Sequence, residues 1–335
     1  MTATPSTNLL VSCGGKWVGI VLQLREAMQR QPTLKHGRIM VTSSDSLTPA
    51  GCFADDALVV PLIKEAGYVP RLLELCHERG IRVVVPLIDL DLERLAPHLD
   101  RFTAVGTTVV CPPPALVDLC FDKLEFARFA EAHGLCHPPT RTVADLAGQS
   151  FPAFYKRRRG FGSIGSGVCQ SARDAKELAA KVPDLIFQEH ILAQEITVDA
   201  HISRAGKCVV CVPRVRDKVV AGESYKTHTV HRPAAVDLAL RTISALANRG
   251  LRGPLNVQLF DTDPPSLIEV NTRLGSASVL SNVACQGRLL DAVLLEALGG
   301  TAEGDPRDYT VGLALSRFLG DVFHFGDKVV DVKPR

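Results

Sequence analysis

The first hundred or so residues alternate short apolar runs with segments of helical spacing. VGIVLQLREAMQR has the spacing of an amphipathic helix, and residues 68–80 are predicted to form a helix that ends at Gly80. Strand-like runs occupy residues 8–13 (NLLVSC), 38–43 (RIMVTS), 81–87 (IRVVVPL) and 107–112 (TTVVCP). The last two runs are apolar on both faces, as parallel strands covered by helices are. The alternation predicts a doubly wound α/β unit.

The pattern changes after residue 112. Residues 122–134 are predicted to form a short helix, with Asp122 as its N-cap and Gly134 as its stop. A strand, a glycine-rich loop and a second strand follow in FPAFYKRRRGFGSIGSGVCQS. Further strand-like runs are LIFQEH, EITVDAHIS, KCVVCVP, PLNVQLFDT and LIEVN, with a helix around residues 233–249. This half of the chain is predicted to be α+β, with mostly antiparallel strands.

Polar and apolar residues alternate in LIEVNTR, residues 267–273. In an extended chain, Glu269, Asn271 and Arg273 share one face. Gln258 lies in the preceding strand-like run, and a turn at TDPPS can bring its side chain beside Glu269 and Asn271. A few oxygen ligands of this kind suit Mg²⁺. The alternative is a buried ion pair of Glu269 with Arg273, and the segment alone does not decide between the two.

The stretch KRRRGFGSIGSG places Gly160, Gly162, Gly165 and Gly167 directly after a basic strand end. Glycines let backbone N–H groups approach phosphate oxygens, and a flexible loop can close over them. The stretch lacks the Gly-Lys-Ser/Thr of a Walker loop. The basic run at residues 156–159 has a solvated edge or an RNA contact as its alternatives. Without interleaved aromatic residues or a wider basic stripe, the sequence disfavours nucleic acid.

Two glutamates, Glu189 and Glu195, flank a short irregular segment in FQEHILAQEITVD. A hinge between two subdomains has this form. Its backbone can read an adenine edge, and a carboxylate can accept hydrogen bonds from ribose hydroxyls. Taken alone, the segment is explained more simply by two surface glutamates near a turn.

Composition and charge narrow the class of protein. The chain has 335 residues, of which 46% are hydrophobic and 22% charged, as in folded proteins with two or three subdomains. A net charge of +2 gives no reason to expect nucleic acid or an anionic membrane as a partner. No apolar run approaches the roughly 20 residues that span a bilayer. Ten cysteines without framework spacing, and no signal-like N-terminus, predict a cytoplasmic protein with reduced thiols.

Two motifs imitate other functions. Cys208–Cys211 has the C-x-x-C spacing of zinc or redox sites, but no second pair stands at a suitable distance, so buried strand thiols are predicted. CGGKWVG lacks the G-x-G-x-x-G spacing because Lys16 occupies the middle glycine position. A dehydrogenase is therefore disfavoured, although Gly14 and Gly15 can still shape a ligand-facing loop.

The order of these features makes the sequence resemble the ATP-grasp superfamily, and in particular the carboxylate–amine ligases related to the carbamoyl-phosphate synthetase large chain. The resemblance covers nearly the whole chain. It implies a pre-ATP-grasp α/β domain at residues 1–112, a central and lid subdomain at 113–190 and a C-terminal subdomain with the metal site at 191–335. The implied reaction phosphorylates a carboxylate to an acyl phosphate and joins it to an amine, with release of ADP and phosphate.

The resemblance also implies roles for single residues. Lys123 and Lys156 would contact the nucleotide phosphates. Arg273 would hold the γ-phosphate, with Lys156 and Arg216 assisting catalysis. Two Mg²⁺ ions, or Mn²⁺, would be bound by Gln258, Glu269 and Asn271. The nucleotide pocket would be formed by Gly160, Gly162, Ser163, Gly165, Gln188, Glu189, His190, Ile191 and Glu195.

The sequence departs from the family pattern in three places. Arg157 and Thr272 stand where relatives commonly have Pro, and Ser276-Ala277 replaces a glycine pair near the expected acceptor. The expected partners are a small-molecule carboxylate and an amine, with a homodimer as a possible assembly. The alternatives are a catalytically silent nucleotide-binding subunit and carbamoyl-phosphate-type chemistry on bicarbonate. The retained metal trio argues against the first, and a chain too short for two fused ATP-grasp halves argues against the second.

Overall fold

The N-terminal part of the protein is a parallel sheet between helices. The computed structural model describes residues 7–160, 162, 164–220, 222–318, 320–325 and 328–334. The strands are β1 (Asn8–Ser12), β2 (Ile39–Ser43), β3 (Asp56–Val59), β4 (Ile81–Pro86) and β5 (Thr108–Val109). The helices are α1 (Val18–Gln29), α2 (Pro49–Cys52), α3 (Tyr68–Glu78), α4 (Asp89–Leu95) and α5 (Leu99–Ala104). The strand order is β3-β2-β1-β4-β5, all parallel, which confirms the doubly wound unit.

Strand β1 shows why both faces of this sheet are apolar. Leu9, Leu10 and Val11 are all fully buried. Leu9 and Val11 pack in the cluster that contains α1, whereas Leu10 packs in the cluster that contains α3. Because successive side chains point to opposite faces, helices cover both sides of the strand.

A second, antiparallel sheet follows two helices. The helices are α6 (Pro114–Phe121) and α7 (Lys123–Ala132). Asp122 caps α7, since its carboxylate accepts hydrogen bonds from the backbone N–H groups of Leu124 and Glu125, as predicted. The next elements are β6 (Thr140–Thr142), β7 (Ala153–Arg157), β8 (Gly167–Cys169), α8 (Ala172–Lys181) and β9 (Leu185–Glu189). The strand order is β6-β9-β7-β8.

A third sheet, also antiparallel, carries the last predicted strands. Its elements are β10 (Glu195–Ile202), β11 (Cys208–Val220), β12 (Glu223–Thr229), α9 (Pro233–Asn248), β13 (Gly253–Phe260), β14 (Ser266–Asn271), α10 (Ser278–Ala284), α11 (Arg288–Ala297) and β15 (Ala314–Ser316). The strand order is β14-β13-β10-β11-β12-β15. Strands β16 (Gly320–Phe325) and β17 (Lys328–Pro334) form a separate antiparallel pair. The predicted α+β second half is therefore confirmed.

The two faces of the third sheet differ in chemistry. Along β10, Ile196 and Val198 point into the core that contains α9, and Thr197 and Asp199 point to the other side. Strand β13 alternates in the same way and places Asn256 and Gln258 on the polar side. Thr197 and Asp199 are only 1% exposed, so this part of the polar face has little contact with bulk solvent.

Helices α6 and α7 pack on the third sheet. Leu116, Phe126 and Phe129 share a cluster with Val198 and Leu267. The domain limits at residues 112 and 190 stay a prediction. Within the described ranges, no helix has the length and apolar character needed to cross a membrane.

Candidate functional site

A cavity of about 590 Å³ lies between the second and third sheets. It is reached by side chains from α7, the glycine-rich loop and strands of both sheets. The sequence-predicted residues that line it are Lys123, Lys156, Gly160, Gly162, Gln188, Glu189, His190, Ile191, Glu195, Arg216, Gln258 and Glu269. Gly165 does not line this cavity although Ile164 and Ser166 do, and Ser163 lies outside the described residues. Most of the predicted nucleotide-site residues thus converge on one space.

The turn between β13 and β14 brings the predicted metal ligands together. Gln258 stands directly opposite Glu269, and Asn256 stands opposite Asn271. The Nδ2 of Asn271 donates to Asn256 Oδ1 at 3.1 Å and lies 3.4 Å from Glu269 Oε1. The residues Gln258, Glu269 and Asn271 therefore lie together on the paired strands β13 and β14, as the alternating pattern and the turn predict.

Arg273 lies beyond the end of β14, which stops at Asn271. Its guanidinium makes a bidentate contact with Asp89, with Nε–Oδ1 and Nη2–Oδ2 distances of 2.9 and 2.7 Å. Glu269 instead lies 3.7 Å from the Nζ of Lys123. In the described part of the chain, the alternative ion pair of Glu269 with Arg273 is not formed. Glu269 is therefore left facing the cavity and its lysines.

Where β14 borders the cavity, two lysines lie near the carboxylate of Glu269. Burial lowers the pKa of Lys156 to about 8, against the opposing effect of the Glu269 charge. Burial alone would raise the pKa of Glu269, but the charges of Lys123 and Lys156 and the hydrogen bond of Asn271 bring it below its usual value. Glu269 is thus held as a carboxylate, the form that a metal ion needs.

The possible ligands at this edge suit a hard cation that prefers oxygen ligands and is bound weakly by the protein alone. One carboxylate and two side-chain amides offer oxygens, and substrate phosphates can complete the coordination. Among the described residues, no group of three or more His, Cys, Asp and Glu side chains could hold a metal ion by itself. A preformed zinc centre is therefore not built here, and the C-x-x-C pair consists of free thiols, with Cys211 buried in β11.

The glycine-rich loop is tied to its surroundings at two points. Lys123 Nζ donates to the carbonyl oxygen of Gly160 at 2.7 Å. Gly162 and Gly222 both have positive φ, at 64° and 78°, and a Cβ on Gly222 would lie 3.1 Å from the Cα of Gly162. The turn between β11 and β12 thus approaches the loop closely, and a side chain on Gly222 would press on Gly162.

The predicted hinge joins β9 to β10. Glu189 ends one strand and Glu195 begins the next, with an irregular segment between them. The carboxylate of Glu195 accepts a hydrogen bond from Nη1 of Arg216, whose Nη2 donates to the Gly222 carbonyl at 2.8 Å. Arg216 is therefore held between the hinge and the turn that meets the glycine-rich loop.

A second cavity, of about 530 Å³, adjoins the first and shares Gly162, Arg216 and Gln258 with it. Asn271 and Arg273 line this second cavity. The N-terminal sheet closes it with loops that follow β1 and β4, the neighbouring strands at which the strand order reverses. Ligands of doubly wound sheets bind at this point.

Sequence reasoning missed several residues of the second cavity. Lys16 and Trp17 follow β1, Asp89 follows β4, and Arg214 and Asn256 lie on the polar face of the third sheet. The period-2 alternation of β11 and β13 is the one signal that could have pointed to Arg214 and Asn256. Lys16, Trp17 and Asp89 reach the cavity only because the N-terminal sheet packs beside the third sheet, and no local sequence pattern indicates this packing.

Several solved structures share this fold. The L-amino acid ligase from Bacillus licheniformis has 19% identity and a TM-score of 0.69, with 90% of this chain and 76% of that chain covered. The biotin carboxylase domain dimer of Hydrogenobacter thermophilus 2-oxoglutarate carboxylase, in complex with MgADP, ADP and bicarbonate, has 14% identity, a TM-score of 0.74 and coverages of 92% and 73%. N5-carboxyaminoimidazole ribonucleotide synthetase from Thermotoga maritima has 18% identity, a TM-score of 0.63 and coverages of 89% and 78%.

Two family models match consecutive parts of the chain, the first over the N-terminal sheet and the second over most of the second and third sheets. Residues 9–110 match the PylC-like, N-terminal domain family, and residues 120–277 match the ATP-grasp domain family. None of the curated proteins compared with the chain gives a significant sequence match. With both matches in chain order, and with the strands and cavities described above, the chain carries a PylC-like N-terminal domain followed by an ATP-grasp domain.

Proposed function

We propose that the protein is an ATP-dependent ligase that phosphorylates a carboxylate to an acyl phosphate and joins it to an amine. The observation that carries the proposal is the pair of adjoining cavities that share Gly162, Arg216 and Gln258. The first cavity has lysines that can bind the phosphates of a nucleoside triphosphate and side-chain oxygens that can bind its metal ion. The other has room for a second substrate directly beside the place where the γ-phosphate would end.

The chemistry explains why both cavities are needed. An amine does not displace oxide from a carboxylate at neutral pH. In the proposed reaction a carboxylate oxygen attacks the γ-phosphorus of ATP, and ADP leaves. The amine then attacks the acyl carbon, phosphate leaves with that oxygen, and the amine loses a proton. Phosphoryl transfer depends mainly on positioning and charge neutralisation, so no nucleophilic side chain is required.

The residues of the chain divide these tasks. Lys123 and Lys156 neutralise phosphate oxygens from two sides of the cavity, and Arg273 stabilises the charge that develops at the transferring group. Gln258, Glu269 and Asn271 would hold Mg²⁺ or Mn²⁺, with two ions expected. When bound, the metal would offset negative charge on the phosphates. Arg216 reaches both cavities and orients the transferring phosphate or the carboxylate.

The rest of the first cavity suits an adenosine. Phe154, Val219, Phe260 and Ile268 supply apolar surface for the base. The hinge backbone at residues 188–191 carries the hydrogen-bonding groups that read the adenine edge. Glu195 faces the ribose end, where it is already engaged by Arg216. The glycine-rich loop with Gly160, Gly162, Ser163 and Gly165 covers the phosphates in this proposal.

The cysteines and one structural relative support proposals for the compartment and the oligomeric state. All ten cysteines are free, which favours a reducing compartment such as the cytoplasm. The biotin carboxylase domain of Hydrogenobacter thermophilus was solved as a dimer, and a homodimer is proposed here as well. The proposed partners are a small carboxylic acid and an amine, not nucleic acid or membrane.

The test is ADP release by purified protein with Mg·ATP across pools of amino acids, small carboxylic acids and bicarbonate. The proposal predicts that a pool with both an acid and an amine stimulates the wild type, and that Glu269→Gln lowers the stimulated rate at least about 100-fold because a metal ligand is lost. Glu177→Gln, on the exposed face of α8, is the matched control and keeps the rate. If the protein binds ATP but no pool stimulates ADP release, the ligase proposal is contradicted. If ADP release depends on bicarbonate alone, carbamoyl-phosphate-type chemistry is indicated instead.

A further inference from the structure

Three consecutive arginines lead from β7 into the glycine-rich loop, and carboxylates fix two of them. The Nε of Arg158 donates to both carboxylate oxygens of Asp122, each at 2.8 Å. The Nη2 of Arg159 donates to Glu93 Oε1 at 2.6 Å and to Asp118 Oδ1 at 2.7 Å. These two arginines therefore tie the base of the loop to α4, to α6 and to the residue that caps α7.

Arg157 differs from both of these neighbours. It is exposed, and among the described residues it forms no hydrogen bond and no ion pair. Neighbours in a strand point to opposite faces, but β7 ends at Arg157, and both Lys156 and Arg157 line the first cavity. A guanidinium has several N–H donors and is not deprotonated in proteins. Arg157 therefore brings a permanent positive charge to the cavity, with no acceptor from the described part of the chain.

The glycine-rich loop lies directly on the side chain of Arg157. A Cβ on Gly160 would lie 3.5 Å from the Cβ of Arg157, and a Cβ on Gly165 would lie 3.3 Å from its Nε. Gly165 also has a positive φ of 76°, a backbone conformation that favours glycine. The side chain of Arg157 thus extends from one glycine of the loop to the other, and its guanidinium end lies beside Gly165.

The other cations that line this cavity are engaged or depend on pH. The Nζ of Lys123 lies 3.7 Å from the carboxylate of Glu269, and the Nη1 of Arg216 donates to Glu195. Burial lowers the pKa of Lys156 to about 8, so its charge is lost just above neutral pH. Arg157 is free of both restrictions, and its charge is available to an anion that enters the cavity.

We infer that Arg157 is a further nucleotide-binding residue, whose guanidinium donates to phosphate oxygens beneath the glycine-rich loop. A guanidinium can donate two parallel hydrogen bonds to one phosphate group, and the contact with Gly165 holds it at the loop before the nucleotide arrives. Proline, which is common at this position in relatives, offers neither charge nor donor. The contact is thus a feature of this chain, and it rests on the nucleotide-binding role proposed for the first cavity.

The experiment measures the dissociation constants of Mg·ATP, Mg·ADP and adenosine for the full chain by titration calorimetry. Arg157→Met keeps an unbranched side chain against the two glycines but removes the charge and the donors. It is expected to weaken Mg·ATP binding about 10- to 100-fold, as for loss of a hydrogen bond to a charged group, and to leave adenosine binding unchanged. Arg157→Lys keeps the charge without the planar fork and should lose less. Arg173→Met, at an exposed arginine of α8 that pairs with Glu177, is the matched control and should bind all three as the wild type does.

Two results would overturn the inference while the proposed function stands. If Arg157→Met binds Mg·ATP as tightly as the wild type, the side chain only supports the loop. If this variant loses affinity for Mg·ATP and adenosine to the same degree, the substitution disturbs the whole cavity and the phosphates are not what Arg157 contacts. Thermal unfolding of the ligand-free variants verifies that they are folded, and the comparison of Arg157→Lys with the wild type carries the test if Arg157→Met is not. A wild type that binds neither nucleotide would instead overturn the nucleotide-binding role of the cavity, and the inference with it.

Discussion

Lys156 is a buried cation whose charge depends on pH near neutrality. It is 9% exposed, and burial lowers its pKa to about 8. Below that pH the ammonium is present and attracts phosphate oxygens, and above it the free site loses the charge. Bound phosphates favour the charged form, so ATP binding above pH 8 must take up a proton.

The first prediction is therefore that the affinity for Mg·ATP falls as pH rises from about 7.5 to 9.5, by up to about tenfold per pH unit above the pKa of Lys156. Titration calorimetry in buffers of different ionisation enthalpy measures both the affinity and the proton uptake. Lys156→Arg keeps its charge and should flatten the profile, whereas Lys176→Arg on α8 should not. Equal profiles for wild type and Lys156→Arg would contradict the assignment.

Asp89 is a positioning residue for Arg273. It is the first residue of α4, directly after the loop that follows β4, and it accepts two hydrogen bonds from the guanidinium in a partly buried ion pair. The second prediction is that Asp89→Asn lowers kcat about 10- to 100-fold, because a misplaced guanidinium no longer meets the transferring phosphate. The dissociation constant for Mg·ATP should change much less.

Steady-state kinetics together with nucleotide binding separate these effects. Asp237→Asn removes an exposed partner of Arg307 and is the control, expected to match the wild type. A parallel loss of ATP affinity and kcat in Asp89→Asn would indicate a general structural role instead.

Single residues were predictable where the cause is local. Asp122 precedes a helical pattern, and it caps α7. Glu269 and Gln258 meet because two alternating strands are joined by a short turn. The contact of Arg273 with Asp89 spans 184 residues, and the sequence holds no sign of it. That pairing exists only because the N-terminal sheet packs beside the third sheet.

At the level of elements, strands with a strong apolar pattern were predictable, whereas the edge strand β3 was not. β1 and β4 are buried on both faces and match their apolar runs. β3 lies at the sheet edge, where half-buried and exposed residues alternate, and its run was not recognised. β5 was predicted over residues 107–112 but spans only Thr108–Val109, since the prolines that follow cannot donate to a ladder.

The glycine-rich loop and the β11–β12 turn act as one unit. The third prediction is that Gly222→Ala weakens Mg·ATP binding, because a Cβ at this position would press on Gly162. Alanine also disfavours the positive φ of this residue, by about 1–2 kcal/mol. Gly250→Ala is the matched control. Its φ of 97° brings a similar backbone strain, but its Cβ would meet no atom within 4 Å.

Nucleotide titration and thermal unfolding of both variants test the contact. Both should lose stability to a similar degree, and only Gly222→Ala should lose nucleotide affinity. Equal affinities would mean that the turn does not shape the loop.

At the scale of the whole molecule, three sheets enclose two adjoining cavities. The first cavity is built by the second and third sheets, and its residues follow the order that the sequence predicts. The second cavity needs the N-terminal sheet as well, through Lys16, Trp17 and Asp89. The residues of the first cavity could therefore be predicted from the sequence, whereas the second cavity emerges only from the packing of distant segments.

The central claim is that ATP activates a carboxylate as an acyl phosphate. Its most direct test uses the stimulating carboxylic acid labelled with ¹⁸O in both carboxyl oxygens, with mass analysis of the products. Because the acyl phosphate is cleaved between carbon and oxygen, we expect each inorganic phosphate to carry one ¹⁸O atom. Unlabelled phosphate, or label in AMP, would contradict the account.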